Sequence, residues 1–382
     1  MDTIKAGIAG TGFSAMAHLE ALRRIPGVEV CGIAASSREK GEEVAGNMNI
    51  PRAYASWRDM VQDPEIQVIH NCTPNALHYG INRAVLLEGK HLMSEKPLGV
   101  NSRESAELVR LADQSGAVTG VCFNYRHYPM VSQMKELLQT GQPGKVHHVT
   151  GTYLQDWLLF DTDYSWRLDP EQNGPSRAIA DIGSHWCDTV QHVLNKRIIE
   201  VMADLKTVYP TRFRPKESVE TFAGGSESGE REAFAVDTED YGSVLLRMED
   251  GVKGVFTVSQ VVAGRKNRLS FEIAAQYSSL AWDQENPNAL WVGKRETASE
   301  DWSRDPGLLL PRSAAMTHYP GGHDEGWPDG LKNLFLDFYA RIEEPRRKSQ
   351  FATLKDGHRI MRLIEAIMES HKEQRWVRVE EE

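Results

Sequence analysis

Cysteine is scarce: the four residues, Cys31, Cys72, Cys122 and Cys187, are scattered with no C-x-x-C pair. That spacing offers no disulfide or redox framework, and three of the four lie in runs that read as buried strands, so reduced core thiols are expected. Long apolar runs are also missing, and none reaches the length needed to cross a bilayer. The start, Met1-Asp2-Thr3-Ile4-Lys5, leads straight into Ala6-Gly7-Ile8-Ala9 with no charged-then-apolar leader, and a cytoplasmic location is expected. Positive charge is the minority: 44 Lys and Arg stand against 54 Asp and Glu, a formal net charge of −10. A nucleic-acid footprint needs a clustered basic surface, so no nucleic acid and no membrane is expected as a partner, and a small molecule is.

What is present is a soluble-type composition, 40% apolar and 26% charged over 382 residues, enough for two domains and a large core. The chain opens with an apolar strand, Ile4 to Ala9, followed by Gly10-Thr11-Gly12-Phe13-Ser14-Ala15 and a helical pattern from Met16 to Arg24. Strand, glycine turn and helix in that order form the context of a dinucleotide-binding G-x-G-x-x-A. Gly10 permits the tight turn, Gly12 lets backbone approach a pyrophosphate, and Ala15 allows close helix packing. The second strand, Val28 to Ala34, ends in Ala35-Ser36-Ser37-Arg38 instead of the acidic residue that would bond an NAD ribose. Ser36, Ser37 and Arg38 suit a 2′-phosphate, a lean toward NADP(H) over NAD(H), while Ser37 also suits a helix cap.

A short helix near Ser56 to Val61 precedes the strand Val68 to Cys72, with Thr73-Pro74-Asn75 at its carboxyl end, and a helix from Leu77 to Glu88 follows. Then comes Leu92-Met93-Ser94-Glu95-Lys96-Pro97-Leu98-Gly99. Lys96 falls just past a buried strand, and Pro97 bars helix there, so its ammonium is expected at the ligand-binding edge of the sheet. A helix capped by Ser102 and a strand from Val118 to Phe123 complete a doubly wound parallel sheet. After Asn124-Tyr125-Arg126 the pattern changes. Following a helix from Pro129 to Leu138, the strand Val146 to Leu154 and the alternating runs Tyr241 to Met248, Gly254 to Val262 and Leu269 to Ala275 predict a large, mostly antiparallel sheet with one face covered. The polar stretch from Pro210 to Glu232 reads as a mobile surface excursion, and two helices, Gly330 to Glu343 and Leu354 to Lys372, close the chain.

Asp181-Ile182-Gly183-Ser184-His185-Trp186-Cys187-Asp188 starts a helix on which Asp181, His185, Asp188 and His192 fall at helical spacing and share one stripe. Those four residue types suit either a divalent metal or, for Asp181 and His185, proton transfer opposite Lys96.

The sequence resembles the Gfo/Idh/MocA family of sugar and cyclitol oxidoreductases. The matching stretches are the opening G-x-G-x-x-A, Glu95-Lys96-Pro97, Asn124-Tyr125-Arg126, and Asp181-x-Gly183-x-His185-x-x-Asp188. The resemblance implies an α/β protein: an N-terminal Rossmann domain over residues 1–125 and a C-terminal α/β domain over 126–382, whose open sheet serves as a homo-oligomer interface. It implies Lys96, Asp181 and His185 as the catalytic set with His185 as base. Glu95 and Asn124 would lie near the nicotinamide, Thr73, Pro74, Asn75 and His78 along the cofactor, and Trp166 and Arg167 would close over cofactor and substrate. Phe13 and Ser14 belong to the same cofactor loop. The implied reaction is hydride transfer between NAD(P) and a secondary alcohol of a sugar, glycoside or cyclitol, an expected product being a 3-keto sugar.

Candidate substrate contacts are Lys96, Asp181, His185, Arg167, Tyr125, Tyr153, Gln155 and His323. The last three come from two mixtures of aromatic and short polar side chains, one with Asp156, Trp157 and Tyr164, the other with His318, Tyr319, Glu325 and Trp327, each equally readable as a loop core. The dehydrogenase reading assigns no metal. Its rivals are a metal-dependent isomerase or hydrolase built on Asp181, His185, Asp188 and His192, and a silent regulator, which would be expected to lose Lys96 or His185; both are kept.

Overall fold

The computed structural model describes residues 3–215 and 230–380, and the chain divides into two compact units. The first comprises Met1–Asn124, Glu171–Gly174 and Leu331–Met361, and the second the remainder, from Tyr125 onward.

In the first unit strands and helices alternate: β1 (Ile4–Ala9), α1 (Phe13–Arg23), β2 (Val28–Ala34), α2 (Arg38–Asn47), β3 (Arg52–Tyr54), α3 (Trp57–Gln62), β4 (Val68–Asn71), α4 (Asn75–Leu87), β5 (His91–Ser94), α5 (Ser102–Ser115) and β6 (Thr119–Val121). The six strands pair in the order β3-β2-β1-β4-β5-β6, every pair parallel. Chain direction across the sheet switches between β1 and β4, so the turns after these two strands lie side by side, the place where open α/β sheets take ligands. β3 was not anticipated, since three residues are too few to show a period. Ser37 caps α2 as expected, its Oγ accepting from Lys40 N at 3.2 Å. The cap of α5 is corrected from Ser102 to Asn101, whose Oδ1 accepts from Glu104 N at 3.0 Å. Two later stretches complete this core: Phe335 and Phe338 are buried, and Val121 N donates to Ala352 O at 2.8 Å.

The second unit follows with α6 (Pro129–Thr140), β7 (Val146–Leu154), α7 (Pro170–Asn173), α8 (Ser184–Leu194), β8 (Ile198–Lys206), β9 (Thr211–Pro215), β10 (Arg231–Ala235), β11 (Tyr241–Met248), β12 (Lys253–Ser259), β13 (Arg268–Ala275), β14 (Ser279–Asp283), β15 (Ala289–Gly293), β16 (Glu300–Ser303), α9 (Pro311–Ala315), α10 (Trp327–Glu343), α11 (Leu354–Glu373) and β17 (Val377–Arg378), some residues of α7, α10 and α11 belonging to the first unit. Its nine-stranded sheet runs β16-β15-β14-β13-β7-β12-β11-β8-β17. Every neighbouring pair is antiparallel except β7 and β12, which run parallel. The polar excursion expected between Pro210 and Glu232 falls mainly on residues 216–229, outside the described residues; its flanks β9 and β10 pair as a separate antiparallel ribbon.

Helix α8 covers one face of the large sheet. Trp186 stacks on Phe256 with ring centroids 4.6 Å apart and donates its indole N–H to Ser270 O at 3.1 Å. A Cβ on Gly151 would stand 2.5 Å from the indole nitrogen and 2.3 Å from Ser270 O, so only glycine leaves room for this contact. The opposite face carries an in-register row, Leu245, Val255, Thr150, Glu272, Ala281 and Trp291, and is the open side. Leu245 at 48% and Trp291 at 37% exposure show that no described residue covers it.

Candidate active site

In the first unit the chemistry-bearing residues gather at the carboxyl ends of β1, β4 and β5. Gly10 has φ of +108°, and a Cβ there would lie 2.6 Å from Cys72 O in the turn after β4, so the close approach of the two turns requires glycine. A Cβ on Gly12 would meet nothing within 4 Å. Gly12 is also the N-cap of α1, which has no side-chain cap and no acidic residue in its first turn. An open space at a helix N-terminus fits a pyrophosphate.

The turn after β4 is fixed by a polar ladder. Thr73 Oγ1 donates to Asn71 Oδ1 at 2.7 Å, Asn71 Nδ2 donates to Asn82 Oδ1 at 2.8 Å, and Asn82 Nδ2 donates to Ser94 Oγ at 2.9 Å. That chain reaches from the end of β4 to the end of β5, one residue before Glu95. His78, expected along the cofactor, is fully buried and braces the turn, with Nδ1 2.7 Å from Pro97 O and Nε2 2.8 Å from Thr73 O. Asn75 is likewise spent on Asn173, donating to its backbone and side-chain oxygens at 3.1 and 2.9 Å. Lys96 is half-buried just past β5, beside Glu95. Burial alone would raise the Glu95 carboxyl, but a hydrogen bond from His18 and the nearby His18 and Lys96 charges outweigh it and bring the pKa to about 2. Glu95 is therefore an anion throughout the working range. Asn124 is buried, and its Nδ2 meets no acceptor among the described residues. An orphaned amide donor of this kind suits the carboxamide of a nicotinamide.

In the second unit the segment Ile179–Gly183 winds as a π-turn before α8 begins at Ser184. The wider turn takes Asp181 off the regular helical register, and the single stripe expected of Asp181, His185, Asp188 and His192 is corrected accordingly. Asp188 is held by Arg126, whose Nε and Nη2 donate at 2.7 and 2.5 Å, and His192 lies against Lys135 Nζ at 3.2 Å. Among the described residues these four do not gather as a metal-ligand group, because two of them serve cations elsewhere. The metal-dependent rival loses its site.

Asp181 is positioned by an inner network. Gln260 Nε2 donates to Asp181 Oδ2 at 3.0 Å, Arg177 Nη1 donates to Gln260 Oε1 at 3.0 Å, and Arg177 Nη2 donates to Asp240 Oδ1 at 2.6 Å. Arg212 Nη2 reaches the same Asp240 oxygen at 2.6 Å, and Arg177, Arg212 and Asp240 have no side-chain exposure. On the outer side Arg167 Nε stands 3.4 Å from Asp181 Oδ1, with its guanidinium 4.6 Å from the Trp166 ring centroid. The Trp-Arg pair is thus stacked on itself and aimed at the aspartate.

The His185 ring packs edge-to-face with Tyr125, centroids 5.0 Å apart at 89°. Tyr125 belongs to a closed hydrogen-bond triangle: Asn267 Nδ2 donates to Tyr125 Oη at 3.1 Å, Tyr125 and Tyr153 hydroxyls meet at 2.7 Å, and Tyr153 Oη donates to Asn267 Oδ1 at 2.7 Å. Burial pushes the Tyr125 hydroxyl up to about 12, so it stays protonated and the triangle closes. Gln155 is spent too, donating to Asn267 Oδ1 at 2.9 Å and accepting from Trp157 Nε1 at 2.8 Å. Tyr125, Tyr153 and Gln155, expected as sugar contacts, are bonded to one another through Asn267 and make up the wall behind His185. Asn267 and Gln260 were missed; each is a lone amide just outside a strand, with no local pattern to mark it. Gln155 and Gln260 come out together because β7 and β12 are parallel with Leu154 opposite Ser259.

The second aromatic mixture is part buried and part exposed. Glu325 is buried, accepting from His318 N at 2.6 Å and facing Arg304 Nη1 at 3.2 Å, while His323 is exposed, its Nδ1 3.4 Å from Gly321 O. Tyr164 and Trp157 pack against buried Leu158, Leu168 and Val236, and Asp156 is taken by Lys266 at 2.7 Å.

Two family models match this chain: an oxidoreductase family with an NAD-binding Rossmann fold over residues 4–123, and the GFO/IDH/MocA C-terminal domain over residues 131–280. The chain belongs to the GFO/IDH/MocA family. Within it, the chain is 28% identical to a levoglucosan dehydrogenase of Pseudarthrobacter phenanthrenivorans, over 99% of both sequences. It is 30% identical to a 1,5-anhydro-D-fructose reductase of Ensifer adhaerens, over 81% of this chain and 96% of that one. A solved structure of levoglucosan dehydrogenase in complex with NADH and L-sorbose superposes with a TM-score of 0.89 at 26% identity, covering all of both chains. As a GFO/IDH/MocA protein this chain is an NAD(P)-dependent dehydrogenase acting on CH–OH groups, with an NAD-binding Rossmann domain and a mostly antiparallel second sheet. No described helix is long and apolar enough to cross a membrane.

Proposed function

We propose that this dehydrogenase oxidises a ring secondary hydroxyl of a pyranose, glycoside or anhydro-sugar to a keto sugar, the 3-keto product being the expected one. The observation that carries the proposal is the fixed Asp181 carboxylate, held by Gln260 and Arg167 in the π-turn that leads into the helix of His185. His185 takes the hydroxyl proton, Lys96 favours the developing alkoxide by its charge, and Asp181 orients the imidazole or the hydroxyl. The bound nicotinamide supplies the hydride acceptor. Gly10, Gly12, Phe13, Ser14 and Ala15 would hold its pyrophosphate, and Glu95 and Asn124 its carboxamide end. Thr73 and Pro74 line the same sheet edge. The names of two relatives, a levoglucosan dehydrogenase and a 1,5-anhydro-D-fructose reductase, support a sugar substrate. Product mass spectrometry on a panel of glucosides, anhydro-sugars, aldoses and myo-inositol tests this; turnover of the cyclitol alone would reject it.

The cofactor is proposed to be NADP(H) in preference to NAD(H), on the absence of an acid after β2. Arg38 lies exposed, donating to Glu42 Oε1 at 2.8 Å, an i,i+4 pair weak enough to be given up for a phosphate. Arg38→Ala is expected to raise KM for NADP⁺ about tenfold and leave KM for NAD⁺ within about twofold, since one charge-assisted hydrogen bond is involved. Equal effects on both cofactors in steady-state kinetics would reject the preference. A cytoplasmic homo-oligomer is proposed to form through the open face carrying Leu245 and Trp291, and light scattering that finds only monomer would reject that.

A further inference from the structure

One cluster in the first unit shares only Glu95 with the reading above. His18 of α1, Glu95 at the end of β5 and Cys122 after β6 bring one nitrogen, one oxygen and one sulfur to within 4.8 Å of one another, the only such group of metal-ligating atoms among the described residues. His18 Nε2 lies 3.1 Å from Glu95 Oε1 and 3.5 Å from Cys122 Sγ. For zinc–ligand bonds of about 2.0–2.3 Å in a tetrahedron, the nitrogen–oxygen edge is about 3.3 Å and the nitrogen–sulfur edge about 3.6 Å. Two of the three edges are already at those lengths. His18 and Cys122 are buried, and the Glu95 side chain, 15% exposed, is the one that meets solvent.

The surroundings are those of a ligating imidazole. Behind His18, its Nδ1 is 3.0 Å from His70 Nδ1, and His70 Nε2 is 2.9 Å from Tyr339 Oη, all of them buried. In the ion-free protein, the Glu95 anion accepts from His18 Nε2–H. With an ion on His18 Nε2, the ring proton stands on Nδ1 and is donated to His70 Nδ1, whose own proton then stands on Nε2 and is donated to the Tyr339 oxygen. Each outer hydrogen bond is in place with the ion bound, which is the support a metal-bound histidine needs. The Phe335 ring, 4.7 Å from the His18 ring, keeps this side dry. A carboxylate and a thiolate balance a divalent charge, so the loaded site is neutral in an apolar surrounding.

We propose that His18, Glu95 and Cys122 form a binding site for one divalent zinc-like ion, and that loading it inhibits the enzyme. Binding breaks the Cys122 S–H bond, releases its proton to water and forms a metal–sulfur bond, with no change of oxidation state. The bound ion neutralises the Glu95 carboxylate beside Lys96, which gives the inhibition; that second part rests on the proposed roles of Lys96 and Glu95, whereas the site itself does not.

Cobalt(II) titrated into chelator-treated, full-length protein is expected to give a thiolate-to-cobalt charge-transfer band and four-coordinate visible bands that saturate at one ion per chain. Cys122→Ser, with unchanged melting temperature, should abolish the charge-transfer band while keeping dehydrogenase activity in metal-free buffer, and zinc should inhibit the parent but not the variant. Absence of the band in the parent, or its persistence in Cys122→Ser, would overturn the site. Equal zinc inhibition of both proteins, with the band behaving as expected, would overturn only the inhibitory link. If no sugar is turned over at all, the cobalt spectrum still decides the site.

Discussion

His185→Ala is expected to lower kcat/KM by about three orders of magnitude, and Lys96→Met by about two to three, with the affinity for NAD(P)H nearly unchanged in both. The sizes follow from what each group supplies: proton transfer by a positioned imidazole is worth about 10²–10⁴ in rate, and a charge aimed at a developing oxyanion about 10²–10³. Neither side chain belongs to the glycine turn that holds the nucleotide, so fluorescence titration with NADPH should give similar dissociation constants. The two variants also differ in their pH profiles. Loss of the base removes the acidic limb of kcat/KM in His185→Ala, whereas Lys96→Met keeps that limb and shifts it. Parent-level turnover in either variant would end the assignment of that residue.

Asp240→Asn is expected to be the most destabilising single polar substitution in the second unit, at about 3–5 kcal/mol, the range for breaking a buried ion pair from one side. Asp240 Oδ1 accepts from Arg177 and Arg212 at 2.6 Å each, and Oδ2 accepts from Val208 N at 2.7 Å. Asparagine keeps the volume but removes the charge that balances two guanidiniums with no exposed surface. At about 2–4 °C per kcal/mol for a unit of this size, the melting transition of the second unit should fall by about 10 °C. Arg177 also holds Gln260, which holds Asp181, so activity measured well below the transition should drop as well. A melting temperature within a degree or two of the parent, by calorimetry, would show that water or a rearranged partner satisfies the guanidiniums.

Much of the first unit was legible in the chain because its signals are local. A buried parallel strand reads as a short apolar run, Gly10 and Gly12 mark a turn that no other residue can make, and Lys96 follows a strand by one fixed step. What escaped notice was either too short to show a period, as in β3, or built from partners far apart in sequence. Tyr125 and Gln155 carry the right chemistry for sugar binding, and nothing nearby in the chain reveals that Asn267 consumes their polar atoms. The Asp181 stripe failed for another reason: an α-helical period was extended backward through a π-turn, whose wider spacing leaves no mark in residue type. His70 and Tyr339, which stand behind His18, are separated by 269 positions, and only the folded chain brings them together.

Strands β7 and β12 are the single parallel pair in an otherwise antiparallel sheet, locked side by side with Leu154 opposite Ser259. They act as two rulers laid from a common zero. Because side chains alternate along a strand, dropping one residue from the middle of either ruler would carry its glutamine to the far side of the sheet. Losing Gln155 in this way would open the wall behind His185, and losing Gln260 would release Asp181. Length variation among relatives of this chain should therefore accumulate in the loops beyond Gln155 and Gln260 and spare the stretches that precede them.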